Sequence, residues 1–291
     1  MGPLRNVARV VPSRPVVDGA DITVRRSLGG KSARVFDPFL LVDELKPDQP
    51  GALDAGFAAH PHRGLETVTF VVEGQYLVRD SYGQQQVIGP GGVHWTHAAS
   101  GVVHSETPLP GSGLRAVQIW LNLARGEKMG DPAVACLTPA HASEVRPSGG
   151  GVLRVYAGEM LGATGPISGG ATRPLLADCE LMRGGGLSVD LPANKAVMAY
   201  VLEGKGLFGI TSASTGELVG RGHLVVFSPG ETLKILAGQQ GVRFLLMAAL
   251  PLSEPVCRYG PIVMTSPAEV DQAVEQFHRG TFCRQAPSVE G

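Results

Sequence analysis

The sequence predicts an all-β protein made of two similar antiparallel β-barrels of the jelly-roll type, with a short C-terminal helix. Short apolar runs alternate with turn formers, and the 291 residues include 40 glycines and 22 prolines. A spacing of roughly 8–12 residues between turn signals is typical of sandwiches and barrels. The second half also resembles the first at an offset of about 130 residues, which indicates a duplicated domain.

Four strands are predicted in the first half of the chain. A glycine-containing turn joins the first to the second and the second to the third, whereas a longer segment joins the third to the fourth. They cover residues 68–72, 76–79, 86–88 and 114–123. The last of these, LRAVQIWLNL, is a mostly apolar run that predicts a buried strand.

The second half contains matching segments. Residues 196–204 and 67–74 both read as an apolar strand that ends in Glu-Gly, and residues 222–227 resemble 92–95. We therefore predict two domains. Residues 1–135 form the first barrel, and residues 136–291 form the second barrel, which carries the C-terminal helix.

The predicted helix begins after Ser266, a favourable N-cap that Glu269 completes as a capping box. Pro267 suits the first helical position, and Gly280 suits the end. The apolar residues of the helix recur on one face, which should pack on a barrel. They are Val270, Ala273, Val274 and Phe277.

Composition excludes several classes of partner. The formal net charge is −1, so electrostatic attraction to nucleic acid or to an anionic membrane is not expected. No apolar run approaches the roughly 18 residues of a membrane span, and the N-terminus lacks the apolar core of a secretory signal. We expect a cytoplasmic protein whose four cysteines are free thiols.

Histidines carry the chemistry. His60 and His62 lie at positions i and i+2, so on a strand both rings share a face. His104 and Glu106 repeat this spacing about forty residues later. If the two strands are neighbours, three imidazoles and one carboxylate meet, and this set suits a divalent transition metal. Two unrelated polar pairs on solvated strands are the alternative.

Three nearby residues are open to more than one interpretation. Glu66 follows His62 by four residues and could be a ligand, a hydrogen-bond acceptor that orients an imidazole, or a structural carboxylate. His94 and His97 are three residues apart, so an ideal strand would direct them to opposite faces. We interpret both of these histidines as structural.

The residues 59–68, AHPHRGLETV, resemble the HPHRGxET signature of the pirin family of bicupins, and residues 100–106, SGVVHSE, resemble its second metal motif. The resemblance covers nearly the whole chain and implies a bicupin fold with one metal on His60, His62, His104 and Glu106. It departs from the family at Ser100, where many pirins have arginine. Residues 194–198, NKAVM, have no histidine where the second barrel would need one, so that barrel should be metal-free.

The resemblance also implies a function. Several pirins are similar in activity to quercetin 2,3-dioxygenases, which open a flavonol with O2 and release carbon monoxide. In that case Glu106 is both ligand and catalytic base, and Fe(II) is the leading metal, with Cu, Ni, Mn or Zn left open. The alternative is a non-enzymatic, redox-sensing regulator that binds a partner protein.

Overall fold

The structure, a computed structural model, describes residues 2–18, 22–30, 36–46 and 56–284. Strands dominate these residues, as predicted, and one α-helix, α1 (Pro267–His278), follows them. The strands of the first half are β1 (Val7–Pro12), β2 (Arg14–Asp18), β3 (Ile22–Leu28), β4 (Phe39–Leu45), β5 (Phe57–His62), β6 (Leu65–Glu73), β7 (Tyr76–Asp80), β8 (Gln85–Ile88), β9 (Val93–His97), β10 (Val102–Pro108), β11 (Arg115–Asn122) and β12 (Ala133–Leu137).

The described residues of the second half supply twelve further strands. They are β13 (Ser143–Val145), β14 (Gly151–Ala157), β15 (Glu159–Met160), β16 (Ala163–Thr164), β17 (Leu175–Leu181), β18 (Gly186–Asp190), β19 (Ala196–Phe208), β20 (Glu217–Gly220), β21 (His223–Phe227), β22 (Thr232–Ala249), β23 (Cys257–Tyr259) and β24 (Ile262–Met264). Each segment predicted as a strand lies on one of these elements. Among the described residues, no helix is both long and apolar enough to span a membrane.

The chain folds into two compact units. One contains residues 1–14, 36–38 and 137–251, and the other contains residues 15–35, 39–136 and 252–291. Along the chain, one unit gives way to the other between residues 136 and 137, and each unit also includes a segment from one end of the chain. The domain bounds 1–135 and 136–291 stay a prediction. Strand β1 pairs with β21 of the second half. Helix α1 packs near β23 and β24, and Val103 of β10 packs against the apolar cluster that these elements share.

In the unit that contains residues 137–251, the strand order is β1-β21-β19-β22-β17-β14-β13. Its interior is a continuous apolar cluster to which β17, β19 and β22 contribute alternating side chains. Alternation of this kind follows from the two-residue period of a strand, which sends every second side chain inward. The interior of this unit is therefore predominantly apolar.

The unit that contains residues 39–136 has two antiparallel sheets, with the orders β5-β10-β7-β8 and β12-β9-β6-β11-β4-β3-β2. Within the larger sheet, the order β9-β6-β11-β4 matches β21-β19-β22-β17 of the other unit. The strands that resemble each other in sequence thus occupy equivalent places. This duplicated, antiparallel jelly-roll arrangement is the bicupin fold that the sequence predicted.

Candidate metal centre

The two histidine motifs lie on neighbouring antiparallel strands. Strand β10 pairs with β5, so that His104 lies opposite His60, and Val102 lies opposite His62. Residues directly opposite each other in a sheet share a face, and His62 shares the face of His60 because it is two residues further along β5. The register therefore directs all three rings to one side of the sheet.

The three imidazoles form a compact group. Their ring centroids are 4.9 Å apart for His60 and His62, 4.7 Å for His60 and His104, and 4.8 Å for His62 and His104. One ring nitrogen from each lies within 4.8 Å of the others. His62 and His104 are buried, and His60 is partly exposed. A single ion could contact all three rings.

The hydrogen bonds of these rings fit a metal ion. His60 Nδ1 lies 2.8 Å from the carbonyl oxygen of Ala58, so Nδ1 carries the proton and Nε2 keeps its lone pair. His60 Nε2 lies 3.2 Å from His104 Nε2. Neither ring nitrogen of the buried His62 has a hydrogen-bond partner, and His104 Nδ1 also lacks one. A cation between the rings would satisfy nitrogens that are otherwise left without a partner.

Electrostatics favour neutral imidazoles here. Burial lowers the pKa of His62 and His104 well below the ordinary value, and the neighbouring histidines lower it further. A histidine must be neutral to donate its lone pair to a metal. The two buried rings are therefore in the form that binds a metal at neutral pH.

Glu106 lies in the same interior with its own hydrogen bonds. Its oxygens accept bonds from Thr69 Oγ1 and Gln118 Nε2, both at 3.2 Å. Burial raises the pKa of Glu106, while a charge on His60 and these two hydrogen bonds lower it. The group of three histidines does not include Glu106, so its role as a ligand stays a prediction.

The remaining polar residues divide between the centre and its surroundings. Glu66 Oε1 lies 2.8 Å from His97 Nδ1, and these two residues are opposite each other on β6 and β9. His94 is buried with its ring centroid 5.8 Å from that of His104, and burial lowers its pKa to about 4. His97 therefore has a structural partner, whereas His94 lies closer to the centre than the sequence indicated.

Three supporting residues were missed by sequence reasoning. Thr69 and Gln118 hold Glu106, and Trp120 Nε1 donates to Gln118 Oε1 at 3.3 Å. The Trp120 ring also meets the His62 ring edge-on, with centroids 5.2 Å apart. A signal was available, because Gln118 is a polar residue within the apolar run of β11. Only the strand pairing shows what it contacts.

Fold and site together define a two-unit cupin protein with a buried histidine centre. The family model of pirin matches residues 21–121, and that of the pirin C-terminal cupin domain matches residues 176–283. The chain belongs to the pirin family.

Individual relatives agree with this assignment. A pirin-like protein from Caulobacter vibrioides is 37% identical over 96% of this chain and 100% of its own length. A Vibrio cholerae protein, provisionally named quercetin 2,3-dioxygenase, is 35% identical over 96% of this chain and 98% of its own. A crystal structure of quercetin 2,3-dioxygenase from Acinetobacter baumannii has a TM-score of 0.84 at 27% identity and covers 96% of this chain and 98% of its own.

Proposed function

We propose that this chain binds one divalent transition metal ion through His60, His62, His104 and Glu106 and opens flavonols such as quercetin with O2. The observation that carries the proposal is the buried histidine group, whose ring nitrogens face one another without enough hydrogen-bond partners. The names of the Vibrio and Acinetobacter proteins support the substrate class. Fe(II) is the leading metal, and Cu, Ni, Mn and Zn are the alternatives.

The chain's own residues would position and deprotonate the substrate. A metal ion here would supply Lewis-acid chemistry toward a substrate oxygen and an electron path to O2. Glu106 would take the proton of the flavonol hydroxyl, and burial, which raises the pKa of Glu106, increases its affinity for that proton. Thr69 and Gln118 hold the carboxylate, and the Trp120 ring packs edge-on against His62.

Metal binding is tested first. Replacing His62 by Ala removes a buried metal donor. Loss of a residue that only supports a ligand weakens metal binding up to about 100-fold, so we expect loss of His62 to weaken it further. Elemental analysis and metal titration of the purified protein measure this. A His62→Ala protein that keeps its full metal content would contradict the assigned site.

Catalysis is tested with Glu106→Gln. This change keeps the size and one coordinating oxygen but removes the negative charge, so we expect part of the metal to remain and most of the turnover to be lost. Oxygen consumption on quercetin is measured for the Fe, Cu, Ni and Mn forms. Glu159→Gln, an exposed change in the other unit, is the matched control.

Two results would contradict parts of this proposal. Turnover no faster than that of the free metal ion, in every metal form, would favour the non-enzymatic regulator. A Glu106→Gln protein with unchanged turnover would keep the enzyme but remove Glu106 as its base.

A further inference from the structure

The residue that follows His62 is held by the C-terminal part of the chain. Arg63 is 3% exposed, and its guanidinium makes three short hydrogen bonds. Nη1 donates to Gln276 Oε1 at 2.7 Å, Nη2 donates to the carbonyl of Phe282 at 2.7 Å, and Nε donates to the carbonyl of Ser100 at 2.6 Å. The guanidinium carbon also lies 4.1 Å from the centre of the Phe282 ring. We call residues 276–283 the C-terminal strap.

These contacts matter because the charge of Arg63 is buried. Within the described parts of the chain, no carboxylate forms an ion pair with Arg63, and burial lowers its pKa. Its charge is therefore stabilised by neutral oxygens and one aromatic face, and two of the three oxygens belong to the strap. A buried charge that loses such partners is strongly destabilising, so Arg63 cannot keep this position when the strap is displaced.

The backbone around Arg63 is fixed from the same direction. Val263 N donates to the Arg63 carbonyl at 2.9 Å, and Lys128 Nζ donates to the carbonyls of Gly64 and Val263 at 2.6 and 3.1 Å. Gly64 has a φ of +75°, and a side chain there would collide with the Val263 carbonyl. The loop that leaves β5 after His62 therefore has little freedom while residues 261–264 are docked.

The strap also contacts the loop that precedes His104. Gly101 packs so closely on Phe282 that a Cβ atom at position 101 would meet both its carbonyl oxygen and its ring. The strap thus contacts the loop after β5 and the loop before β10, which flank the two strands that carry the candidate metal ligands. Beyond Phe282, the Cys283 sulfur lies 3.3 Å from Ser81 Oγ and is partly exposed, which makes it a usable reporter of strap docking.

We propose that Arg63 is a positioning residue through which the C-terminal strap sets the place of His62, so that metal affinity depends on strap docking. The inference rests on the proposed metal centre and adds a coupling between that centre and the chain's C-terminal segment. Coupling of two binding equilibria is reciprocal. Metal bound at the histidines should therefore hold the strap in place by the same factor by which the strap strengthens metal binding.

The test uses two glutamines of one helix. Gln276→Ala removes an acceptor of Arg63, whereas Gln272→Ala changes an exposed residue one turn earlier on α1. With Co2+ as the probe, we expect Gln276→Ala to raise the dissociation constant about 10-fold, as loss of a residue that supports a ligand does. Gln272→Ala should bind Co2+ as the wild type does.

The reciprocal effect is read from thiol alkylation. In the wild type, Co2+ should slow the reaction of Cys283 with iodoacetamide about 10-fold, by the reciprocity of the coupling, and Gln276→Ala should abolish most of this protection. Cys136, outside the strap, is the internal reference in residue-resolved mass spectrometry. A role limited to general stability would not produce metal-dependent protection of one thiol.

The outcomes separate the two proposals. A wild-type protein that does not bind Co2+ overturns the metal centre and the strap coupling together. Equal Co2+ affinity in Gln276→Ala and Gln272→Ala, or alkylation of Cys283 that is indifferent to Co2+, overturns the coupling alone. Should Gln276→Ala fold poorly, the Cys283 measurement on the wild type still decides.

Discussion

At the scale of single residues, burial determines what each histidine can do. His62 and His104 are buried among other imidazoles, so their pKa values fall and they stay neutral. His97 is the opposite case, because the hydrogen bond that it donates to Glu66 raises its pKa more than burial lowers it. One residue type thus supplies candidate metal ligands at His60, His62 and His104 and a hydrogen-bond partner for Glu66 at His97.

The His97–Glu66 pair predicts a pH-dependent stability. The folded pKa of His97 lies above the unfolded value of about 6.5. Its stabilising contribution is therefore complete below pH about 6.5 and is lost as the pH rises through the folded pKa. We expect His97→Gln to lower the free energy of unfolding by about 0.5–1 kcal/mol at pH 5.5 and by less at pH 8.5.

Denaturant unfolding of the apo protein at the two pH values measures this difference. Glu66→Gln is the control, because it removes the charged partner and should weaken the same pH dependence. A His97→Gln effect that grows from pH 5.5 to pH 8.5 would contradict the assigned ion pair.

At the scale of elements, local sequence signals define the helix, whereas strand pairing determines the role of a strand. Helix α1 begins where its cap predicts, since Ser266 Oγ accepts from Glu269 N at 3.4 Å and Glu269 Oε2 accepts from Ser266 N at 3.0 Å. Strand β10, by contrast, obtains its role from its neighbour. Its register on β5 shifts by one residue between His104 and Glu106. No local pattern in the sequence predicts this irregularity.

The cap of α1 has a measurable energy. Ser266→Ala removes the side-chain acceptor for the Glu269 amide, so we expect the protein to lose about 1 kcal/mol of stability. Chemical denaturation measures the loss, and Ser148→Ala in an exposed loop of the other unit is the matched control. Equal stabilities of the two variants would show that the cap contributes nothing measurable.

At the scale of the whole molecule, two units share a strand order but not an interior. The unit that contains residues 39–136 buries imidazoles, a carboxylate and the amide of Gln118. In the unit that contains residues 137–251, the interior is a cluster of aliphatic and aromatic side chains, among them Val197, Ala199 and Val201 on β19. A predominantly apolar interior stabilises a fold but offers a metal ion few donors.

This contrast predicts the metal content of the molecule. We expect one equivalent of metal per chain, lost on replacement of His62 or His104, and none in residues 137–251. Elemental analysis of the wild type and of both variants tests the number and the place. A second equivalent that survives in a His62→Ala, His104→Ala double variant would contradict the expectation.

The sequence by itself determined the strand-rich fold, the duplicated domain, the capped helix and the two i, i+2 pairs of candidate ligands, His60 with His62 and His104 with Glu106. These features depend on short-range patterns: a two-residue strand period, turn formers, a capping box and the i, i+2 spacing of His60 and His62. Such patterns are local, because neighbouring side chains and backbone dihedrals produce them.

The tertiary structure alone decided what surrounds those histidines. Gln118 reaches Glu106 and Arg63 reaches Gln276 because strands and loops distant in sequence become neighbours. It also decided that residues 1–14 and 252–291 join the unit opposite to their own half. Long-range pairing of this kind depends on the complementarity of whole surfaces. An apolar face or a buried charge is stabilised by the segment that covers it or hydrogen-bonds to it, wherever that segment lies in the sequence. No local pattern in the sequence encodes which segment this is.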